Sequence, residues 1–185
     1  MDVIAQRERL NVVIRERAVR YGDFVLRSGA HSSFYLDCRQ VTLDSEGAFL
    51  VASLMLAKME DVEARAVGGP ALGAVPIVGA VCAVAHARGR HLSGFFIRKE
   101  AKDHGMGKLL EGTLEPGMRV VMVEDTVTTG GELLRAINAV RELGCEVALA
   151  LWIVDRGAGA LQSIRDRGIH AEALYTLEDL GILRE

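Results

Sequence analysis

Val120-Val121-Met122-Val123-Glu124-Asp125-Thr126-Val127-Thr128-Thr129-Gly130-Gly131-Glu132 decides how this chain is read. Its four leading apolar residues suit a strand buried on both faces, as in a parallel sheet covered by helices. Two adjacent carboxylates close the run, then hydroxyls and glycines lead into a helix. Glycines let backbone N–H groups approach an anion closely. A helix N-terminus adds unpaired donors and a favourable dipole, and Thr hydroxyls add donors without charge. The loop therefore suits a sugar phosphate. Glu124 and Asp125 would repel that phosphate; they suit sugar hydroxyls and positive charge growing on the ring.

The surrounding chain repeats the same grammar. Before the motif, Ala64–Val67 reads as a strand, Gly68-Gly69-Pro70 as a turn, Gly73–Arg88 as a helix and Leu92–Ile97 as a strand. After it, a helix runs to Leu143 and stops at Gly144. Glu146–Val154 is a further strand, about Ala158–Arg167 a helix and Ala171–Tyr175 a last short strand. Toward the N-terminus, Val3–Arg20 has helical apolar spacing, and Phe24–Leu26 and Phe34–Leu36 read as short strands joined by a turn-rich link. Ser45–Met59 reads as a helix capped by Asp44 or Ser45. Strands alternating with helices predict an α/β fold with a mainly parallel, twisted sheet flanked by helices. Ligands of such sheets bind beyond the carboxyl ends of the strands.

A length of 185 residues suits one such domain, spanning 1–185. The net charge of −3 provides no broad basic surface for nucleic acid, so an anionic substrate needs a local cluster of cations. One such cluster follows Phe95-Phe96-Ile97, where Arg98, Lys99, Lys102 and Lys108 share a segment with Glu100, Asp103, His104, Gly105 and Gly107. Cations on a closing segment suit a diphosphate leaving group, and closure removes competing water; the bland alternative is a solvated charged loop. Cys38, Cys82 and Cys145 lack metal-site spacing and read as small core residues. Their odd number, with no secretory leader, points to a reducing cytoplasm. The longest apolar stretch is broken by Gly73, Pro76 and Gly79, which argues against a membrane span.

Other nucleotide-binding signatures fail. The Walker phosphate loop needs a Gly-Lys-Ser/Thr ending that the motif lacks, and Gln162 spoils a dinucleotide fingerprint at Gly157-Ala158-Gly159. The run from Val120 resembles the PRPP-binding motif of type I phosphoribosyltransferases, with Glu124 where an Asp is usual. The basic segment resembles the catalytic loop of orotate phosphoribosyltransferases. Phe24–Gly29, with Ser32, Tyr35 and Asp37, looks like that family's N-terminal hood, about residues 20–40; Gly68–Ala74 resembles its pyrophosphate-binding turn.

The resemblance implies a type I phosphoribosyltransferase fold and a homodimer with shared active sites, holding PRPP and orotate. Lys102, His104 and Asp125 take the catalytic roles. Arg98, Lys99, Lys102, His104 and the span Glu124, Asp125, Thr126, Val127, Thr128, Thr129, Gly130, Gly131 and Glu132 bind PRPP. Arg98, Lys102 and His104 reach into the neighbouring subunit's site, and Lys99 acts in its own. Arg27, Thr128 and Arg156 bind orotate, a guanidinium at 156 being suited to a carboxylate. Magnesium is held mainly through PRPP oxygens and water, without an all-protein cage. Arg27 stands where many relatives have Lys, Val75 where some have Asp and Leu72 where others have Lys. The rival readings are a purine or uracil phosphoribosyltransferase, a regulator of the same fold that binds PRPP or nucleotide without catalysis, and a scaffold module.

Overall fold

The computed structural model describes residues 2–25, 29, 31–100 and 109–182. In chain order, α1 (Val3–Arg17) leads into a hairpin of β1 (Val19–Val25) and β2 (His31–Leu36). Next come α2 (Arg39–Thr42), α3 (Ser45–Lys58), β3 (Ala66–Pro70), α4 (Ala74–Ala87) and β4 (Ser93–Ile97). Then follow β5 (Leu110–Gly112), β6 (Arg119–Val127), α5 (Gly131–Glu142), β7 (Glu146–Asp155), α6 (Ala160–Arg165) and β8 (Ala171–Thr176). Among the described residues the central sheet has six strands in the order β5-β4-β3-β6-β7-β8, and β1 and β2 form a separate antiparallel pair. Every neighbour pairing in the central sheet is parallel except β4 with β5. This bears out the mainly parallel sheet.

Strand alternation divides the apolar runs between two cores. Val121, Val123, Leu149, Leu151 and Ile153 join the core beneath α1, α3 and α4. Val120, Met122, Ala150 and Trp152 join the core beneath α5 and α6. Successive side chains of a strand point to opposite faces, so a strand covered on both sides must be apolar throughout. Helix α3 is apolar nearly all round because it lies between α1 and α4. Its start is set by Asp44, whose Oδ1 accepts the N–H groups of Glu46 and Gly47 at 3.0 and 3.1 Å.

Several boundaries differ from the sequence expectations. Helix α1 ends at Arg17, and residues expected in its last turn begin β1, where a register shift between Tyr21 and Phe24 accommodates Gly22. Gly68-Gly69-Pro70 is buried strand, not a turn. Its glycines answer to space: a Cβ at Gly68 would stand 2.4 Å from the Phe95 ring, and one at Gly69 2.0 Å from the Val123 carbonyl oxygen. The turn falls at Ala71–Gly73 instead. Strands β6 and β7 run on to Val127 and Asp155, so the acidic pair sits within β6. Neither α2 nor β5 was expected. Trp152 is core, as read, and so are Cys38 and Cys145, whereas Cys82 is only half-buried.

Candidate active site

The carboxyl ends of β3, β4, β6 and β7 open onto a cleft of about 1260 Å³. The hood closes one side of it through Tyr35, Asp37 and Arg39, and the turn Ala71–Gly73 forms another wall. Charged groups enter from three strand exits: Arg98 and Lys99 after β4, Glu124 and Asp125 on β6, and Arg156 after β7.

The acidic pair is the most tightly built part. Glu124 is only 8% exposed, and its Oε1 accepts the Asp125 N–H at 3.1 Å. Burial first, then the neighbouring Asp125 charge, push the Glu124 carboxyl up to about 9. In the folded chain Glu124 therefore favours its protonated form at neutral pH. Asp125 Oδ1 accepts the Thr126 N–H at 2.6 Å, which holds its carboxylate along the strand. Gly73 lies directly against both acids: a Cβ there would stand 2.3 Å from Glu124 Oε1 and 2.7 Å from Asp125 Oδ1. A side chain at 73 would make the carboxylates swing aside, so backbone and carboxylates share one wall.

Beyond Val127 the chain turns through hydroxyls and glycines into α5. Thr128 and Thr129 are exposed, and Gly130 takes φ +84° as the residue before α5. The Leu134 N–H donates to the Gly130 carbonyl at 2.8 Å, and no side chain caps this end. The amides of Gly131, Glu132 and Leu133 precede that first helical bond and are the donors a phosphate needs. Val127 differs from its neighbours: its side chain is buried in the core and its carbonyl accepts the Arg156 N–H at 2.9 Å. The Glu132 carboxylate turns to cations, standing 3.9 Å from Lys99 Nζ and 3.5 Å from Arg135.

The basic segment leaves from the antiparallel pair β4–β5. At its root the Arg98 N–H donates to the Leu109 carbonyl at 2.8 Å, and the Arg98 guanidinium stands 3.5 Å from Glu111. Arg135 donates to the Arg98 carbonyl at 3.2 Å, tying the root to α5. Lys102, His104 and Lys108 lie outside the described residues, as does Arg27 in the hood. Across the cleft, the Arg156 guanidinium sits over the Phe34 ring, 5.5 Å from its centroid. The structure thus brings Arg98, Lys99, Glu124, Asp125, Thr126, Glu132 and Arg156 to one cleft.

Sequence reasoning did not single out Gly73, Asp155, Glu111 or Arg135. Gly73 lay within a quoted turn, but its contact with the acids needs β3 and β6 side by side. The others are common residue types whose partners come from another element or a tight corner.

A parallel sheet with a hairpin hood, and an acidic strand end feeding a Thr/Gly loop, defines a type I phosphoribosyltransferase. No protein-family model matches the chain, and individual relatives narrow the class. An orotate phosphoribosyltransferase of Rhodopirellula baltica is 41% identical over 179 residues, covering 94% of this chain and 93% of its own length. The orotate phosphoribosyltransferase of Mycobacterium tuberculosis H37Rv, solved with Fe(III) dicitrate, superposes with a TM-score of 0.86 at 39% identity, over 95% of this chain and 99% of that one. The same enzyme solved with PRPP gives 0.82 at 35% identity, with the same coverage of 95% and 99%. The chain belongs to the orotate phosphoribosyltransferase family.

Proposed function

We propose that this chain transfers the 5-phosphoribosyl group of PRPP to orotate, giving orotidine 5-phosphate and pyrophosphate in de novo pyrimidine biosynthesis. One observation carries the reading: the acidic pair, Glu132 in the first turn of α5, Lys99 and Arg156 converge on a single cleft. The α5 amides and the Thr128 and Thr129 hydroxyls bind the 5-phosphate. Glu124 and Asp125 accept from ribose hydroxyls and stabilise positive charge on the ring as the diphosphate departs. Arg156 pairs with the orotate carboxylate, and Arg27 and Thr128 complete the base subsite. Lys99 and the basic segment draw off the diphosphate. No covalent nucleophile is required, since positioning and electrostatics carry the step.

Among the described residues no three His, Cys, Asp or Glu side chains gather as a metal cage. Adjacent carboxylates beside a phosphate cradle do fit magnesium shared with substrate oxygens and water. Bound there, magnesium would supply positive charge against the diphosphate. Residues 1–185 work as one catalytic unit, and two copies form a homodimer in which Arg98, Lys102 and His104 serve the partner's site. Three free cysteines suit the reducing cytoplasm.

Pyrophosphate release from PRPP and orotate, assayed with and without magnesium, tests the reading. Magnesium-dependent turnover of orotate is expected; turnover of adenine, hypoxanthine or uracil with none of orotate would replace it by the purine or uracil alternative. Mixed dimers of Lys102→Ala and Asp125→Ala should recover part of the activity that each parent lacks. Verified hybrids with none would end the shared-site arrangement.

A further inference from the structure

Asp155 ends β7, immediately before Arg156, and only 6% of it is exposed. Its Oδ1 accepts the Gly157 N–H at 2.5 Å, while its Oδ2 is buried with no hydrogen-bond partner among the described residues. Burying a carboxylate with half its acceptor capacity unused is costly. The mechanism above gives it no contact with substrate. What it does hold is a corner. On the strand, Asp155 is paired with Val127 of β6 and Thr176 of β8. The next N–H, that of Arg156, donates to the Val127 carbonyl at 2.9 Å. The following residue, Gly157, takes φ +67°, a conformation open to glycine and strained for alanine. Three successive residues are thus fixed by a sheet register, a carbonyl of the neighbouring strand and a buried carboxylate. The one between the two anchors sends its guanidinium over Phe34 of the hood.

A long Arg side chain loses considerable rotamer freedom on meeting a carboxylate, so affinity depends on how firmly its backbone is held beforehand. We propose that Asp155 is a positioning residue for the acceptor base: by holding the Gly157 amide it locks the 155–157 corner so that the Arg156 guanidinium meets the base carboxylate already oriented. The inference rests on Arg156 as the orotate ligand. It adds that the buried neighbour, which touches no substrate, sets the strength of that contact. The part that matters is the acceptor oxygen, which Asn retains and Ala does not.

The test measures KM for orotate at saturating PRPP, KM for PRPP, kcat and melting midpoint for Asp155→Ala, Asp155→Asn, Gly157→Ala and Arg156→Ala. Arg156→Ala should raise the orotate KM by at least about tenfold, the loss of a charge-assisted pair. Asp155→Ala should raise it about five- to tenfold with the PRPP KM within about twofold, and Asp155→Asn should recover most of the loss. If Asp155→Ala fails to fold, Gly157→Ala strains the same corner from its other side and should give the same selective rise. An unchanged orotate KM in Arg156→Ala would overturn both the ligand role and the inference. A rise in Arg156→Ala with none in Asp155→Ala or Gly157→Ala would overturn the inference alone. So would a parallel rise in both KM values, which marks a merely structural residue.

Discussion

Replacing Glu124 by Gln should make the empty protein progressively harder to unfold than the parent as the pH rises. Burial and the Asp125 charge hold the Glu124 carboxyl at about 9 in the folded chain, against an ordinary 4.5. Between those values the folded state keeps a proton that the unfolded chain releases. Stability from this group is complete below pH 4.5 and is lost as the pH climbs to about 9. At about 1.4 kcal/mol per pKa unit, the whole displacement sets an upper bound of about 6 kcal/mol. Water entering the open cleft relaxes part of it. Gln cannot titrate, yet its carbonyl can still accept the Asp125 N–H that Glu124 now receives at 3.1 Å. If a third of the bound survives, about 2 kcal/mol, the variant's melting midpoint should gain about 4–8 °C on the parent between pH 5 and pH 9, at about 2–4 °C per kcal/mol for a chain of this size. Circular-dichroism melts without PRPP across that range read the difference directly. A gap between the two proteins that stays level within about 1 °C would refute the argument.

Three further outcomes are expected. Gly73→Ala puts a methyl 2.3 Å from Glu124 Oε1, so the carboxylates must swing out of place; kcat/KM for PRPP should fall at least about fivefold, read by steady-state kinetics. Asp44→Ala removes the cap of α3 at about 1 kcal/mol, so the midpoint should fall by about 2–4 °C while both KM values stay within about twofold. Arg135→Ala cuts the tie from α5 to the Arg98 carbonyl, now 3.2 Å long; kcat should fall about fivefold with the midpoint within about 2 °C of the parent.

Much of the fold was legible because burial leaves a periodic signature. Val120–Val123 and Val147–Val154 read as doubly covered strands, and the structure divides Val120–Val123 and Leu149–Ile153 alternately between two cores. The acidic pair and the Thr/Gly loop were legible because the phosphate site proposed there needs unusual residues in a fixed local order. Short and glycine-bearing elements were not. Leu110-Glu111-Gly112 forms β5 only through its pairing with β4, and Gly68-Gly69 resembles a turn until Phe95 and Val123 are known to crowd it. Asp155 and Arg135 look like ordinary polar residues at a strand end and on a helix.

The chain's own order of residues determined the strand–loop–helix that we propose as the sugar-phosphate site, since an apolar run, two acids and a glycine-rich helix start are contiguous and their chemistry is local. Folding in three dimensions decided everything that depends on distance between separate segments. It set Gly73 against the carboxylates, Arg156 over Phe34, and Glu124 in a place dry enough to keep its proton. Those properties come from packing and dielectric environment, which arise only when β3, β6, β7 and the hood meet.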